Sequence, residues 1–452
     1  MAAKRKAAPP APARKRARTA QPAQEGPVAH PSHQKEPAEL FVWGDGDCGQ
    51  LGLGEATTER LRPWPLDVGG GQKVLQVACG GMHTAVLTER HEVWTWGVND
   101  EGALGRHTAG KLWEASGLGS GKPGDSYTPG VVAFPAGSAR IVQVSAGDSH
   151  TCCLAEDGTV FAWGTFRDAS GVLGFSPAAR FQLVPRVVVA PRSDRVCKVA
   201  SGADHVVALC ESGKLLTFGN GQQGQLGRLG TRVSERHRLQ EMLTPAETRV
   251  VKRKAAGVKV TDVACGTYHT FAQMSDGRIF AAGLNNYGQL GLEDEDAYFS
   301  FTEVEQLKEK GVATVRGGQH HSLALTNKGT LLAFGRAAYG RLGRAQADTG
   351  EDGKVADALP VEGLGGVKVT GMAGGLAVSG CFGDGEKTGQ IWLWGMGTNN
   401  QLANGDEDDD VSVPERVKET KKYNALRCVQ LEFGGQHAAC LAVERPGETR
   451  VV

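Results

Sequence analysis

Apolar residues in this chain come in short paired blocks with a fixed frame. Gly-x-x-His opens a block of four or five apolar residues, a polar turn follows, and a second apolar block closes on an x-Gly pair. The frame recurs as CGGMHTAVL (Cys79 to Leu87), AGDSHTCCL (Ala146 to Leu154), SGADHVVAL (Ser201 to Leu209), CGTYHTFAQ (Cys265 to Gln273), GGQHHSLAL (Gly317 to Leu325) and GGQHAACLA (Gly434 to Ala442). TGMAGGLAV (Thr370 to Val378) is a seventh copy, with Gly374 in the histidine's place. The marked positions 83, 150, 205, 269, 320, 374 and 437 lie 51 to 67 residues apart, a spacing that fits one four-stranded propeller blade per copy. Segments such as AEDGTVFAWG, CESGKLLTFG and TNKGTLLAFG join two apolar strands through Asp-Gly, Ser-Gly or Lys-Gly, which predicts a hairpin. Several strands are apolar on consecutive residues, as expected when both sheet faces pack against neighbours.

The count of half-units predicts how the ring closes. The series begins with FVWG (Phe41 to Gly44), an x-Gly block without its head, and ends with GGQH and its strand, a head without its tail. Pairing the two chain ends completes a seventh blade and leaves no open edge. Residues 40–452 are therefore expected to form one all-β, seven-bladed propeller, preceded by a disordered tail over 1–39.

Composition agrees with this reading and narrows it. Glycine supplies 64 of 452 residues, scattered along the chain, as many tight turns require. The ten cysteines form no Cys-x-x-Cys pair, and no apolar run reaches the ~18 residues of a membrane span, so a reducing intracellular setting without membrane contact is expected. The formal net charge of zero hides an asymmetry. Residues 1–39 carry eight Lys/Arg against three Glu, and Lys4, Arg5, Lys6, Arg14, Lys15, Arg16 and Arg18 fall in two clusters among Ala and Pro. Such a segment cannot bury enough surface to fold alone. It reads as a nuclear import signal or a DNA-contacting arm, with a solubilising tail as the alternative.

Three features carry candidate chemistry. Gly44-x-Gly46-x-x-Gly49 and Gly219-x-Gly221-x-x-Gly224 match a dinucleotide fingerprint, but they sit at a fixed place in a β repeat with no helix to follow. The repeated histidines occupy equivalent places in a ring, too far apart to share a metal, so most are expected to be structural and neither metal nor cofactor is expected. AGDSH and SGADH add carboxylates, Asp148 and Asp204, beside the motif glycine. Either they bond backbone in the turn or they stay exposed to meet Lys or Arg from a partner.

One copy breaks the spacing. In six copies a leucine falls seven residues after the x-Gly glycine, as in WGVNDEGALG (Trp96 to Gly105), whereas WGTFRDASGVLG (Trp163 to Gly174) delays it to nine. Two residues that six blades close without are surplus to folding, and a contact role for the loop is expected.

The QLGLG, GGMHT, AGDSHT, CGTYHTFA, GGQHHS and WGMGTNNQL segments, with the seven-fold count and the basic tail, resemble the regulator-of-chromosome-condensation family, exchange factors of the small GTPase Ran. The resemblance spans residues 40–452. It implies a GTPase-binding face containing Asp47, His83, Asp148, Asp204, His320 and His437. It also implies that Arg167, Asp168, Ala169, Ser170, Gly171, Val172, Leu173 and Gly174 form a β-wedge that presses on the GTPase's nucleotide site. By position and charge, the loop with Arg228, Arg232, Arg236 and Arg238 matches the family's histone-docking loop; a solvated basic loop is the alternative. The implied protein is a nuclear, chromatin-bound factor with a Ran-like GTPase, nucleosome histones and DNA, and an import receptor as partners. Two other classes stay open: a non-exchanging scaffold for chromatin or a ubiquitin-pathway partner, and a propeller enzyme with a metal or acid/base centre on its axis. Residues 106–130 and 344–360 are insertions to which the sequence assigns no role.

Overall fold

A computed structural model describes residues 36–118, 123–230, 238–251, 257–294, 296–345, 353–405 and 409–448. Seven four-stranded antiparallel sheets form the ring, and one additional two-stranded sheet stands apart from them. Blade 1 consists of Val74–Cys79, His83–Thr88, Val93–Gly97 and Gly130–Val131; blade 2 of Ile141–Ala146, His150–Ala155, Val160–Gly164 and Gln182–Val189. Blade 3 consists of Val196–Ser201, His205–Cys210, Leu215–Gly219 and Ala246–Thr248; blade 4 of Val260–Cys265, His269–Met274, Ile279–Leu284 and Ala297–Glu303. Blade 5 takes Val312–Gly317, His321–Thr326, Leu331–Arg336 and Lys354–Pro360, and blade 6 takes Lys368–Gly374, Val378–Asp384, Gln390–Gly395 and Val411–Arg416. Blade 7 joins the two ends of the chain: Leu426–Phe433 and His437–Glu444 come from one, Glu39–Asp45 and Glu59–Leu66 from the other. Leu40 lies opposite Leu441 and Gly44 opposite His437, so Phe41, Val42 and Trp43 are fully buried at the joint.

Strand pairing fixes the frame of the repeat. The first residue of each second strand faces the glycine of the x-Gly pair: His83 and Gly97, His150 and Gly164, His205 and Gly219, His269 and Gly283, and His437 and Gly44. In blade 5 the partner of Gly335 is His321, and in blade 6 the partner of Gly395 is Val378. Two readings are thereby corrected. His321, not His320, fills the motif position, and its blade 6 counterpart is Val378 rather than Gly374. The motif glycine is needed because the imidazole folds back beneath it: a Cβ at Gly80 would meet the His83 ring at 2.3 Å, and one at Gly147 the His150 ring at 2.1 Å.

These histidines latch neighbouring blades together. The His83 Nε2–Thr151 Oγ1 distance is 2.9 Å, and the Thr151 hydroxyl donates to the Ala103 carbonyl at 2.9 Å. Because that hydroxyl proton is committed to the carbonyl, His83 must donate from Nε2. The same relay joins His205 to Thr270 and Gln225, His269 to Ser322 and Gln289, His321 to Ser379 and Arg341, and His437 to Thr84 and Gln50. Burial without a counter-charge pushes His83 down to about 4 and His205, His269 and His437 down to about 3, so all remain neutral. The expectation of structural histidines holds for this set.

Candidate functional site

The loops leading into the latch residues converge at one mouth of the central channel. Immediately before each latch stand Met82, Ser149, Asp204, Tyr268, His320, Ala377 and Gln436, and Asp148 lies one residue further back in blade 2. Asp148, Asp204, Tyr268 and His320 thus come from four consecutive blades. The Tyr268 and His320 rings are 5.7 Å apart, and the far side of His320 meets Tyr287 at 5.3 Å. Beside this belt opens a concavity of about 540 Å³, lined in part by Met82, Asp100, Glu101, Asp148, Arg167 and Gln436.

The two aspartates differ in setting. Asp148 is exposed at the channel mouth, although protein surrounds its carboxyl closely enough to raise its pKa, with Arg167 opposing the shift. Asp204 is half-buried, and burial together with the Asp148 charge pushes its carboxyl up to about 8. His320 is held at about 4 by burial and by the Arg341 and Arg336 charges. Near neutral pH the belt therefore presents an Asp204 poised to gain or lose its proton and a neutral His320 imidazole.

Phe166–Asp168 and Gly171–Gly174 form the two-stranded sheet, a hairpin inserted between the third and fourth strands of blade 2. Phe166 anchors its base beneath the ring of His150 at 4.8 Å, stacks with Phe175 at 6.2 Å and meets Phe218 edge-on at 5.9 Å. Leu173 is buried, whereas Ala169 and Ser170 stand exposed at the tip. The Ser170 amide donates to Asp168 Oδ1 at 2.8 Å, and Gly171, at φ +108°, completes a turn that a β-carbon would strain. The Arg167 guanidinium pairs with Glu101 of blade 1. On the opposite side, the Arg167 amide donates to Asp204 Oδ1 at 2.6 Å, and Asn220 Nδ2 donates to the Arg167 carbonyl at 2.9 Å. Gln222 Nε2 reaches Asp168 Oδ2 at 3.3 Å.

The structure brings Asp148, Asp204 and the Arg167–Gly174 segment together, with His320 further round the rim and Asp47 exposed on a blade 7 loop. It corrects three assignments. His83 and His437 are buried latches whose Nε2 protons are committed to threonine hydroxyls, so they offer no surface to a partner. Arg228 is half-buried and committed within the chain: it donates to Thr217 Oγ1 at 3.0 Å and to the Glu241 carbonyl at 2.6 Å, and burial lowers it to about 10. Arg106 grips Thr95, Asp125 and Thr128 carbonyls at the matching place in blade 1. Arg238 starts the short helix Leu239–Leu243 and pairs with Glu241, while Arg232 and Arg236 lie outside the described residues. So do Lys4, Arg5, Lys6, Arg14, Lys15, Arg16 and Arg18.

Glu101, Asn220, Gln222 and Tyr268 were not anticipated. Tyr268 could have been found, since it shares the frame position of Asp204. The other three are ordinary polar loop residues until the hairpin is seen against them. Among the described residues no group of three His, Cys, Asp or Glu side chains is placed to hold a metal ion, and no helix is long and apolar enough to cross a membrane.

Fold and rim define a class: a closed seven-bladed propeller of Gly-x-x-His repeats that presents a charged face and a braced hairpin. The RCC1-like domain model matches residues 39–440, and the chain belongs to that family. It is 37% identical over 424 residues to the regulator of chromosome condensation of Xenopus laevis, covering 92% of this chain and 93% of the relative. The guanine nucleotide exchange factor SRM1 of Saccharomyces cerevisiae is 34% identical over 451 residues, covering 91% and 89%. The solved structure of Prp20p from S. cerevisiae, a protein with binding properties toward Gsp1p and histones, superposes with a TM-score of 0.78 at 30% identity, covering 92% of this chain and 94% of that one.

Proposed function

We propose that the chain is a chromatin-bound guanine-nucleotide exchange factor for the small GTPase Ran, promoting GDP release and GTP loading by stabilising the nucleotide-free GTPase. The observation that carries this reading is the hairpin Phe166–Gly174, raised beside Asp148 and Asp204 and braced by residues of blades 1 and 3. Family membership and the names of the yeast and frog relatives support it. Exchange makes and breaks no covalent bond, so the protein's task is differential binding. Small GTPases can hold nucleotide near the ~1 pM regime, about −16 kcal/mol, and a catalyst must offer comparable binding energy to the empty state.

The relay-latched ring supplies a rigid platform whose contacts need no ordering on docking. Asp148 and the neighbouring acids attract cationic side chains of the GTPase and set its orientation. The hairpin then occupies space that is open only when the phosphate-binding region is displaced, so its contacts favour the transition toward release. Incoming nucleotide weakens the complex in turn, because the coupling is reciprocal. The basic tail serves import-receptor and DNA contact, and Arg238 with its neighbouring loop faces the histones, placing the protein in the nucleus. The test is release of labelled GDP from Ran by the full-length protein. Acceleration at catalytic concentrations is expected, and a rate equal to the spontaneous one would leave a chromatin scaffold instead.

A further inference from the structure

Seven seams join the seven blades; five carry the latch, and of the other two only one keeps its histidine. In blade 3 the position that should offer a hydroxyl to His150 is Val206, where the other blades carry Thr84, Thr151, Thr270, Ser322, Ser379 and Ala438. The seam ending at Ala438 replaces the histidine as well, by Val378, and so leaves nothing unpaired. His150 is kept. Fully buried, it is the one latch histidine among the described residues with no partner at either ring nitrogen. A buried imidazole left in this state is unfavourable, and five other seams show that a single hydroxyl would cure it.

The hairpin rises at that same seam. Its root, Phe166, covers the unpaired His150 ring, and its first strand is tied across the seam to blade 3 by three polar contacts. The Arg167 amide goes to Asp204, the Arg167 carbonyl receives Asn220 Nδ2, and Asp168 receives Gln222. Asn220 is buried and has a second tie: its Oδ1 accepts the Gln222 amide at 2.9 Å, which links the two donors into one unit. The buried Gln143–Val199 pair still ties this seam from within, and the hairpin of blade 2 adds a second fastening at its root, where the His150 latch is missing.

We infer that Asn220 and Gln222 are positioning residues for nucleotide exchange: acting from blade 3, they hold the hairpin of blade 2 at the height and tilt at which it meets the GTPase, in place of the missing His150 latch. This rests on the reading of the hairpin as the element that displaces nucleotide. With the ties intact, the docking energy is delivered through a rigid tip; with them cut, the tip yields instead of the GTPase. Affinity for the GTPase, set by the wider rim, is untouched by the change.

Labelled-GDP release from Ran separates the possibilities when Asn220→Ala, Gln222→Ala, Gln222→Glu and Gln222→Lys are compared with wild type and with a chain shortened by two residues within 167–174. Asn220→Ala should lower the maximal rate about tenfold with KM within twofold, the size expected for one lost tie at a stiff contact. Gln222→Glu, which sets a carboxylate against Asp168, should fall below Gln222→Ala. Gln222→Lys, which restores a donor to Asp168, should recover most of the rate. Position 222 is only half-buried, so this pair reads out charge rather than folding. Equal maximal rates for Gln222→Glu and Gln222→Lys, or a full rate in Asn220→Ala, would overturn the positioning role even where the shortened chain loses its rate. A full rate in the shortened chain would overturn the hairpin reading itself, and the positioning role with it.

Discussion

The seam between blades 1 and 2 and the seam between blades 2 and 3 start from the same repeat, but only the first keeps the histidine latch. The first is closed from within: His83 donates to Thr151, Thr151 to Ala103, and Trp163 Nε1 donates to the same carbonyl at 2.7 Å. At the rim it shows the Arg167–Glu101 ion pair. In the second seam Val206 and Phe218 stand where the threonine and tryptophan would be, His150 is left unpaired, and beside the buried Gln143–Val199 pair further ties run along the root of the hairpin. A propeller can give up a buried latch at this seam when five others remain latched. What it gains there is a projection fixed to two blades at once.

The contrast can be broken most severely at the ring closure, which both kinds of seam presuppose. Removal of residues 1–55 takes away the strand Glu39–Asp45 with Phe41, Val42 and Trp43, each fully buried and each worth roughly 1.5–3 kcal/mol of apolar burial. Thermal melts should show an unfolded or aggregating product, whereas a chain lacking only residues 1–35 should melt with the intact protein. Equal melting of the two truncations would refute closure through the termini.

Acid should break the latched seams next. Burial holds His83, His205, His269 and His437 near 3 or 4 in the folded chain and His321 well below its ordinary value, against ~6.5 in the unfolded chain. Between those values the unfolded state binds more protons, so stability is complete above about pH 6.5 and is lost as pH falls toward 4. The slope limit is about 1.4 kcal/mol per pH unit for each histidine. Asp204 has the opposite sign: its raised pKa makes the folded state the proton binder between about pH 4 and 8, so its contribution is lost as pH rises through that window. Denaturant midpoints against pH should fall steeply below 6.5 in the wild type. Asp204→Asn, which keeps an acceptor for the Arg167 amide, should remove the smaller alkaline decline; an unaltered decline would contradict that assignment.

A pair of isosteric changes sharpens the comparison at finer scale. Thr151→Val should cost about 2–3 kcal/mol, because it strands the buried His83 donor and removes one of the two donors to the Ala103 carbonyl, while Val206→Thr should gain up to about 1 kcal/mol by giving His150 its hydroxyl. Urea unfolding measures both. A neutral Thr151→Val would mean that the relays contribute little to the seams.

Much of this architecture was legible in the chain because blade geometry imposes its demands locally: a glycine for the folded-back imidazole, an apolar pair of strands, an x-Gly turn. The headless and tailless end units announced the shared blade in the same way. Register was harder to read where the marker is ambiguous. GGQHHS offers two adjacent histidines, and only pairing with Gly335 shows that His321 turns inward while His320 faces the rim. TGMAGGLAV carries no histidine at all, so Gly374 and Val378 could not be told apart before Gly395 was seen opposite Val378. Arg228 looked like a free basic residue because carbonyl ligands leave no trace in sequence. The hairpin was visible as a length anomaly, but its braces were not, since Asn220, Gln222 and Glu101 become significant only once three blades are brought together.

The direct test of the account is the maximal rate of labelled-GDP release from Ran by a chain whose Arg167–Gly174 segment is shortened to the seven-residue spacing of the other six blades, measured beside its KM and its melting temperature. The account predicts a native-like melt, a KM within a few-fold of wild type because Asp148 and the rest of the rim remain, and a maximal rate lowered by at least tenfold. A shortened chain that folds and releases nucleotide at the full maximal rate would contradict it.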